Sequence, residues 1–187
     1  MAGSESLRLF CALRLPDETV ERLVRWQSVV LGQSGALQSG AVQRGHIVVP
    51  ENLHVTLAFL GRRPTAEVTA IAGALAEAMD GAGELRLRVH GYRETRSVGM
   101  LTLDDEGGRA GKVAARLHAA LEELGVYRRE ARPWLPHVTV LRFAERPRLR
   151  PVLPDLGEIS PSDAAVYSSV LRRDGAQYEV LKFWRSV

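Results

Sequence analysis

Two short segments of the chain repeat the same pair of side chains that can do chemistry. His54-Val55-Thr56-Leu57 and His137-Val138-Thr139-Val140 each place a threonine two residues after a histidine, within an apolar and β-branched run. In a β-strand, residues i and i+2 point to the same face, so each segment presents an imidazole beside a hydroxyl. The pattern predicts one site that is built twice and shared between two halves of the chain.

Two imidazoles suit catalysis in which one group takes a proton and another gives one. An unperturbed histidine titrates near pH ~6.5, so a neutral and a protonated imidazole can coexist near neutrality. The hydroxyls of Thr56 and Thr139 can donate hydrogen bonds to the oxygens of an anion. Arg142, which follows the second segment, can pair with the same anion. The residues therefore predict acid–base chemistry on an anionic ligand, with His54 and His137 as the catalytic groups.

Each of these residues also has a purely structural interpretation. A single histidine in an apolar strand usually serves the core, threonine is an ordinary strand residue, and Arg142 could lie on the surface where its strand ends. The repetition of the whole pattern favours the catalytic interpretation of the two histidines. The other histidines, His46, His90 and His118, lack that context, and we expect His118 to be exposed on a helix.

The composition predicts a soluble chain with an apolar core. It has 187 residues, 45% of them hydrophobic, and a formal net charge of +3. No apolar run reaches the ~20 residues that cross a bilayer, and no secretory signal is evident, so we expect a cytoplasmic protein without a membrane partner. The single cysteine, Cys11, is expected to be a buried thiol. No Cys-rich or carboxylate cluster predicts a metal site, and we expect no cofactor.

Hydrophobic periodicity predicts an α+β fold. The element order is β-α-β-α followed by β-β-α-β-β-β, and the short turns favour antiparallel pairing. The main strands are predicted at 7–15, 54–60, 85–89, 98–103, 137–143, 164–171 and 178–184, with helices from 17, from 65 and over 109–124. Gly61 is expected to end its strand, Thr65 to cap the second helix, residues 32–45 to form a loop, and Asp174-Gly175 to turn the closing hairpin.

The residues around the two motifs resemble a known family. Segments 50–61 (Pro-Glu-Asn-Leu-His-Val-Thr-Leu-Ala-Phe-Leu-Gly) and 132–142 (Arg-Pro-Trp-Leu-Pro-His-Val-Thr-Val-Leu-Arg) are similar to the two signatures of the two-histidine (2H) phosphoesterases. Within them, the chain resembles the bacterial and archaeal RNA 2′,3′-cyclic phosphodiesterases, also called 2′-5′ RNA ligases. Segments 7–16 and 167–182 are also similar. Two departures are His46-Ile47, where many members carry Arg-Trp, and Val140, where Leu is commoner.

The resemblance implies a fold and an activity. The fold would be two pseudo-symmetric α+β lobes around a central cleft, each lobe an antiparallel sheet with helices packed on its outer face. Residues 1–187 would then form a single domain of two intimately packed lobes. The activity would be metal-independent hydrolysis of RNA 2′,3′-cyclic phosphates to 2′-phosphomonoesters, with 2′-5′ RNA ligation as a secondary reaction.

The resemblance also implies residue roles. His54 would be the general acid for the leaving 3′-oxygen and His137 the general base on water, while Thr56, Thr139 and Arg142 would bind the phosphate. Tyr92 lies near the place where the family has an aromatic residue that stacks on a base, although aromatic residues more often serve the core. A group of arginines could guide RNA phosphates into the cleft or form a solvated loop: Arg128, Arg129 and Arg132.

The implied partners are RNA ends or nucleotides that carry a 2′,3′-cyclic phosphate, tRNA fragments among them, and the implied state is a monomer. One alternative is a phosphodiesterase for 2′-5′-linked oligonucleotides or small cyclic nucleotides. Another is a non-catalytic RNA-binding module, against which the two intact His-x-Thr segments argue.

Overall fold

Nine antiparallel strands form one sheet in the part of the chain that the computed structural model describes, residues 5–31, 46–161, 163–172 and 175–185. The strands are β1 Ser6–Arg14, β2 His46–Ile47, β3 His54–Pro64, β4 Leu87–Glu94, β5 Val98–Asp105, β6 His137–Arg142, β7 Glu158–Ile159, β8 Asp163–Arg172 and β9 Gly175–Arg185. Their order across the sheet is β7-β4-β5-β6-β3-β1-β8-β9, and β2 also pairs with β6.

The sheet consists of two lobes that meet at its centre. The first lobe contains β1, β3, β8 and β9, and the second contains β2, β4, β5, β6 and β7. They join where β3 pairs with β6, at Val55 opposite Val138. The predicted α+β class and antiparallel lobes are confirmed. The two expected sheets are, however, halves of one continuous sheet, because the two motif strands pair with each other.

In the part of the chain that the structure describes, three α-helices pack against the sheet: α1 Asp17–Trp26, α2 Val68–Met79 and α3 Arg109–Glu123. Each buries an apolar stripe, with Leu23, Ile71 and Leu117 fully buried. α1 starts with two acidic residues, which suit the positive end of the helix dipole. α3 ends at Glu123, one residue before its predicted end, and Gly125 follows with a φ of 69° that glycine readily adopts. No helix in these residues has both the length and the apolar character needed to span a membrane.

A buried glutamine fixes the end of the second motif strand. α1 continues into a π-helical turn, Gln27–Leu31, and Gln27 is 2% exposed. Its side-chain amide donates to the carbonyl oxygens of Val48, at 3.1 Å, and Val140, at 2.9 Å. These hydrogen bonds hold α1, the segment after β2 and β6 together, directly beside Arg142.

Local predictions were wrong at two places in the first lobe. β3 does not end at Gly61, because the strand passes through it at a φ of 68° and keeps pairing with β1 across a bulge as far as Pro64. Thr65 does not cap α2, since its hydroxyl donates to the carbonyl oxygen of Glu5 and a 3₁₀ turn, Thr65–Glu67, precedes the helix. The predicted loop 32–45 and turn residue 174 lie outside the described residues.

Candidate active site

The pairing of Val55 with Val138 brings the four motif side chains to one face of the sheet. Both valines are buried on the helix-covered face, so the residues on either side of them project to the opposite face. Because the strands are antiparallel, His54 lies across from Thr139, and Thr56 lies across from His137. Cβ atoms of such cross-strand neighbours are about 4.5–5.5 Å apart. The four side chains are half-buried.

Both histidines are oriented by the same backbone contact. Nδ1 of His54 lies 2.8 Å from the carbonyl oxygen of Asn52, and Nδ1 of His137 lies 2.8 Å from that of Leu135. A carbonyl only accepts, so each Nδ1 carries the hydrogen and each neutral ring leaves Nε2 as its acceptor. In the first motif, the hydroxyl of Thr56 donates to Nε2 of His54 over 3.1 Å.

His54 lies among aromatic rings of the first lobe. Its ring centroid is 5.0 Å from that of Phe10, 5.5 Å from Tyr178 and 6.1 Å from Tyr167. Burial lowers the pKa of His54 to about 4; the hydrogen bond to Asn52 opposes this, and the positive charges of His137 and Arg142 add to it. At pH 7 the unliganded His54 is therefore neutral. A bound anion would favour its protonated form.

A cavity of about 360 Å³ opens beside His54 between the two lobes. Thr56, Thr139 and Arg142 also line it, so it contains four of the five predicted catalytic and phosphate-binding residues. A guanidinium nitrogen of Arg142 donates to the hydroxyl of Tyr178 across the cleft, at 3.4 Å. Arg8 adds a second guanidinium, positioned 4.9 Å above the ring of Phe59. The cavity thus offers two guanidinium groups and the hydroxyls of the two motif threonines to an anion.

His137 lines a second, adjoining cavity of about 1060 Å³. The two cavities share Thr56 and Phe59 in their walls. The two imidazoles therefore serve neighbouring spaces, His54 in the smaller and His137 in the larger. Of the loop arginines singled out above, Arg129 and Arg132 line the larger cavity, whereas Arg128 is exposed outside it.

Sequence reasoning missed three residues of the smaller cavity: Arg8, Phe10 and Tyr178. The alternation of apolar residues along β1 could have indicated the first two. Leu9, Cys11 and Leu13 are fully buried on the helix side, which puts Arg8 and Phe10 on the motif side. The strand predicted at 7–15 was not divided into a buried and a cavity-facing side.

Tyr92 does not reach either cavity. It pairs with Leu101 on the helix-covered side, packs against the core, and donates its hydroxyl to Glu94 over 3.3 Å. Its ring also covers Gly99 so closely that a Cβ there would clash with the tyrosine oxygen. This placement does not fit the predicted base stacking. The sequence could not reveal it, because the bulge between Val89 and Gly91 sets which face Tyr92 occupies.

His118 is buried, so its predicted exposure was wrong. It is 7% exposed, its Nε2 lies 2.8 Å from the carbonyl oxygen of Leu57, and its ring lies 4.9 Å from that of Tyr127. Trp134 donates its indole N–H to the neighbouring carbonyl, that of Thr56, over 3.0 Å. Both side chains thus bind β3 carbonyls just beyond the pairing with β6, and they hold the motif strand in place.

The acidic residues and the single cysteine do not add a second kind of chemistry to this site. The described residues contain no group of three or more His, Cys, Asp or Glu side chains that could hold a metal ion. Cys11 is fully buried, and burial raises the pKa of its thiol to about 12. Cys11 is therefore a thiol rather than a thiolate at neutral pH.

Sequence and structure comparisons agree on the relatives of this chain. RNA 2′,3′-cyclic phosphodiesterase of Thermus thermophilus is 34% identical over 190 residues, covering 94% of this chain and 88% of its own. The enzyme of the same name from Escherichia coli is 29% identical over 192 residues, with 97% of each chain covered. A crystal structure of a Thermus thermophilus protein superposes with a TM-score of 0.77 at 29% identity, covering 96% of this chain and 97% of that one.

The family comparison covers both motif strands and the helices between them. A model of the 2′-5′ RNA ligase superfamily matches residues 16–176. That range starts after β1 and ends in β9, so it contains both histidines, both threonines and Arg142. With four motif residues on one face and a match over most of its length, the chain belongs to the 2′-5′ RNA ligase superfamily.

Proposed function

We propose that this protein hydrolyses RNA 2′,3′-cyclic phosphates to 2′-phosphomonoesters. The observation that carries the proposal is the cross-strand arrangement of the two His-x-Thr segments, which places two imidazoles on one face, each oriented by a contact of its Nδ1 with a backbone carbonyl oxygen. The curated relatives that cover nearly the whole chain are named for this activity.

The reaction needs a nucleophile and a leaving oxygen on opposite sides of phosphorus. In the proposal, Nε2 of His137 takes a proton from water as the water oxygen attacks phosphorus. The bond from phosphorus to the 3′-oxygen breaks, and Nε2 of His54 gives its proton to that oxygen. The 2′-oxygen keeps the phosphate. General acid and general base groups each contribute typically ~10²–10⁴-fold to a rate.

His54 needs the substrate to act as an acid. Its pKa of about 4 leaves it neutral at pH 7 in the unliganded protein. A cyclic phosphate carries one negative charge, and an anion close to an imidazole raises the pKa of that imidazole. Substrate binding would therefore protonate His54, which then holds the proton that the leaving oxygen requires. Proton uptake accompanies binding.

The remaining polar groups of the smaller cavity suit the phosphate. Thr56 and Thr139 offer hydroxyl donors, and the guanidinium of Arg142 is held across the cleft by Tyr178. A planar guanidinium can form two parallel hydrogen bonds with a phosphate. These groups stabilise the charge that develops on the non-bridging oxygens, and the proposal therefore requires no metal ion.

We also infer that the protein acts as a monomer in the cytoplasm. We infer further that its substrates are RNA ends that carry a 2′,3′-cyclic phosphate, including those of tRNA fragments. Both catalytic strands belong to one chain, so a second subunit is not needed to complete the site. Arg8 and Arg142 favour a polyanionic substrate in the cleft.

The test is turnover of a nucleoside 2′,3′-cyclic phosphate, in excess EDTA, by the wild type and by His54→Ala and His137→Ala. Each substitution should reduce the rate by at least about a hundredfold, with 2′-phosphate as the wild-type product. His90→Ala is the matched control, because His90 is an exposed histidine that contacts Asp104 away from both cavities. Circular dichroism melts report whether each variant folds. Near-wild-type turnover in a folded variant would contradict the two-histidine mechanism.

A further inference from the structure

Asn52 contacts the proposed general acid and the last strand of the sheet at the same time. It is half-buried and ends a 3₁₀ turn, Pro50–Asn52, that leads into β3. Its backbone carbonyl oxygen accepts the Nδ1–H of His54 over 2.8 Å, and its side-chain amide donates to the carbonyl oxygen of Ala176 over 2.7 Å. The residue that orients the imidazole is therefore itself anchored to β9.

The bond to Ala176 sets where the turn lies in the tertiary structure. The backbone N–H groups of Asn52 and Leu53 donate to the carbonyl oxygens of Val49, at 3.0 Å, and Pro50, at 3.1 Å, so these bonds shape the turn locally. Ala176 is 124 positions away along the chain. β9 lies at the edge of the sheet, where outward carbonyl groups are left to partners other than strands. The side-chain amide of Asn52 supplies such a partner.

The same end of β9 contacts both His54 and the arginine of the phosphate site. Tyr178 follows Ala176 by two residues; its ring centroid is 5.5 Å from that of His54, and its hydroxyl accepts a hydrogen bond from Arg142. Asn52, Ala176 and Tyr178 all line the smaller cavity. A turn that moved away from β9 would therefore move the imidazole relative to the phosphate.

The corresponding residue of the second motif cannot form such an anchor. The carbonyl oxygen of Leu135 lies 2.8 Å from Nδ1 of His137, but a leucine side chain has no hydrogen to donate, and Leu135 is 40% exposed. The two proposed roles differ in the same sense. A water molecule can adjust its position to the base, whereas the leaving oxygen is fixed by the bound substrate, so the acid must be held within about 2.6–3.2 Å of it.

We propose that Asn52 is a positioning residue for the general acid: its bond to Ala176 holds the carbonyl that keeps His54 in the Nδ1–H form and directs Nε2 to the leaving oxygen. The proposal rests on the function proposed above, in which His54 gives its proton to the 3′-oxygen. Asn52 acts through His54 and transfers no proton itself. The contact also opposes the effect of burial, because an acceptor at Nδ1 raises the pKa of His54.

The first test compares a 2′,3′-cyclic nucleotide with an analogue that has sulfur at the bridging 3′ position and needs little protonation of the leaving atom. Asn52→Ala should lower kcat about tenfold on the oxygen substrate and leave it within about twofold of the wild type on the sulfur substrate. Arg142→Lys should be slow on both, because it weakens the phosphate site and leaves the acid in place. Equal losses of Asn52→Ala on the two substrates, or no loss on either, would overturn the proposal.

Two further variants control for damage to the fold. Asn52→Leu keeps about the volume of the side chain without its N–H groups, and it should show the same difference between the substrates as Asn52→Ala. Gln177→Ala is the matched control, because it removes an exposed side-chain amide from β9 directly after Ala176. It should match the wild type on both substrates. Circular dichroism melts report whether each variant folds.

The second test observes the imidazole directly and requires no turnover. The ¹⁵N chemical shifts of a neutral imidazole distinguish a hydrogen at Nδ1 from one at Nε2. Wild-type His54 should carry its hydrogen at Nδ1 at pH 7, and Asn52→Ala should lower the population of this tautomer. His137, whose contact with Leu135 is unchanged, is the internal reference. A wild-type His54 with its hydrogen at Nε2, or an unchanged tautomer population in Asn52→Ala, would contradict the proposal.

The failures of the two proposals are distinguishable. If the wild type does not hydrolyse the cyclic phosphate at all, the function proposed above is wrong, and the tautomer of His54 still tests the role of Asn52. If the wild type is active but Asn52→Ala loses nothing, or loses equally on both substrates, Asn52 does not position the acid and the two-histidine mechanism stands.

Discussion

Val55 pairs with Val138, and this pairing sets the geometry of the whole candidate site. The two buried valines put His54 opposite Thr139 and Thr56 opposite His137 on the other face of the sheet. A shift of the register by one residue would turn one set of motif side chains into the core. The burial of both valines under the helices therefore fixes the register of β3 and β6, and with it the relative positions of the four motif side chains.

The division of labour between the histidines can be tested with an activated leaving group. A 2′,3′-cyclic substrate with sulfur in place of the bridging 3′-oxygen needs little protonation of the leaving atom. It should restore activity to His54→Ala far more than to His137→Ala, because only the acid has become dispensable. The measurement is the initial rate of each variant on both substrates. Equal restoration of the two variants, or restoration of His137→Ala alone, would overturn the assignment.

The low pKa of His54 predicts a specific dependence of stability on pH. An unfolded histidine binds its proton near pH ~6.5, whereas native His54 binds it only near its pKa of about 4. Between these values the unfolded chain holds more protons, so the free energy of unfolding falls as the pH drops from about 6.5 to 4. The shift corresponds to at most roughly 3 kcal/mol.

His54→Gln, which does not titrate, isolates this contribution. Urea unfolding at pH 7 and at pH 4.5 should show a smaller loss of stability on acidification for His54→Gln than for the wild type. Parallel losses in the two proteins would mean that His54 keeps an ordinary pKa in the folded chain.

Thr56 should matter through its hydroxyl rather than its shape. Thr56→Val keeps the volume but removes the hydrogen bond to Nε2 of His54 and a donor to the phosphate. We expect kcat to fall about 10- to 100-fold, with a similar melting temperature, and Thr56→Ser to recover most of the activity. Steady-state kinetics on a cyclic mononucleotide measures both. An active valine variant would show that the hydroxyl has no catalytic part.

Arg142→Lys should be slower although the charge is kept. A lysine has no planar fork to match the phosphate, and it would lose the contact with Tyr178. We expect kcat/KM to fall about tenfold or more. Arg128→Lys makes the same substitution outside both cavities and should leave kcat/KM at the wild-type value. Equal values for the two variants would remove Arg142 from the phosphate site.

Glu94 should stabilise the second lobe rather than act on substrate. Its buried carboxylate accepts the backbone N–H of Arg148 at 2.8 Å and of Leu149 at 2.7 Å, and the guanidinium of Arg146 at 3.2 Å. Glu94→Gln replaces an acceptor by a donor that faces another donor, which should cost about 1–3 kcal/mol in urea unfolding at pH 7. The exposed Glu84→Gln is the control and should change the stability little. Equal stabilities would mean that the connection 146–149 is held by other contacts.

The sequence was informative where one short pattern determines structure. The strand period around His54 and His137 predicted which side chains share a face, and hydrophobic periodicity predicted helices where α2 and α3 lie. It was uninformative where a distant partner decides. Gly61 continues its strand because β1 lies alongside, and His118 is buried because the carbonyl of Leu57 is within reach. Neither partner is visible in the local sequence.

The residues of the candidate site also divide into those that a local pattern predicts and those that depend on distant parts of the chain. Arg8, Phe10 and Tyr178 come from β1 and β9, far along the chain from the motifs, and only the strand order of the first lobe brings them to His54. Tyr92 lies in the core rather than beside a cavity because a single bulge exchanges the two faces of β4. Bulges and strand order are tertiary properties, so they lie beyond what a linear pattern encodes.

The aromatic rings around His54 make the two halves of the site different, although both halves carry the same motif. Two identical halves, assembled as a symmetric dimer, would give both imidazoles the same neighbours and hence the same affinity for a proton. A single chain is free of that constraint. It surrounds one imidazole with Phe10, Tyr167 and Tyr178 and leaves the other beside a wide opening. In the proposed mechanism, this difference between the halves allows one imidazole of a duplicated motif to donate a proton and the other to accept one.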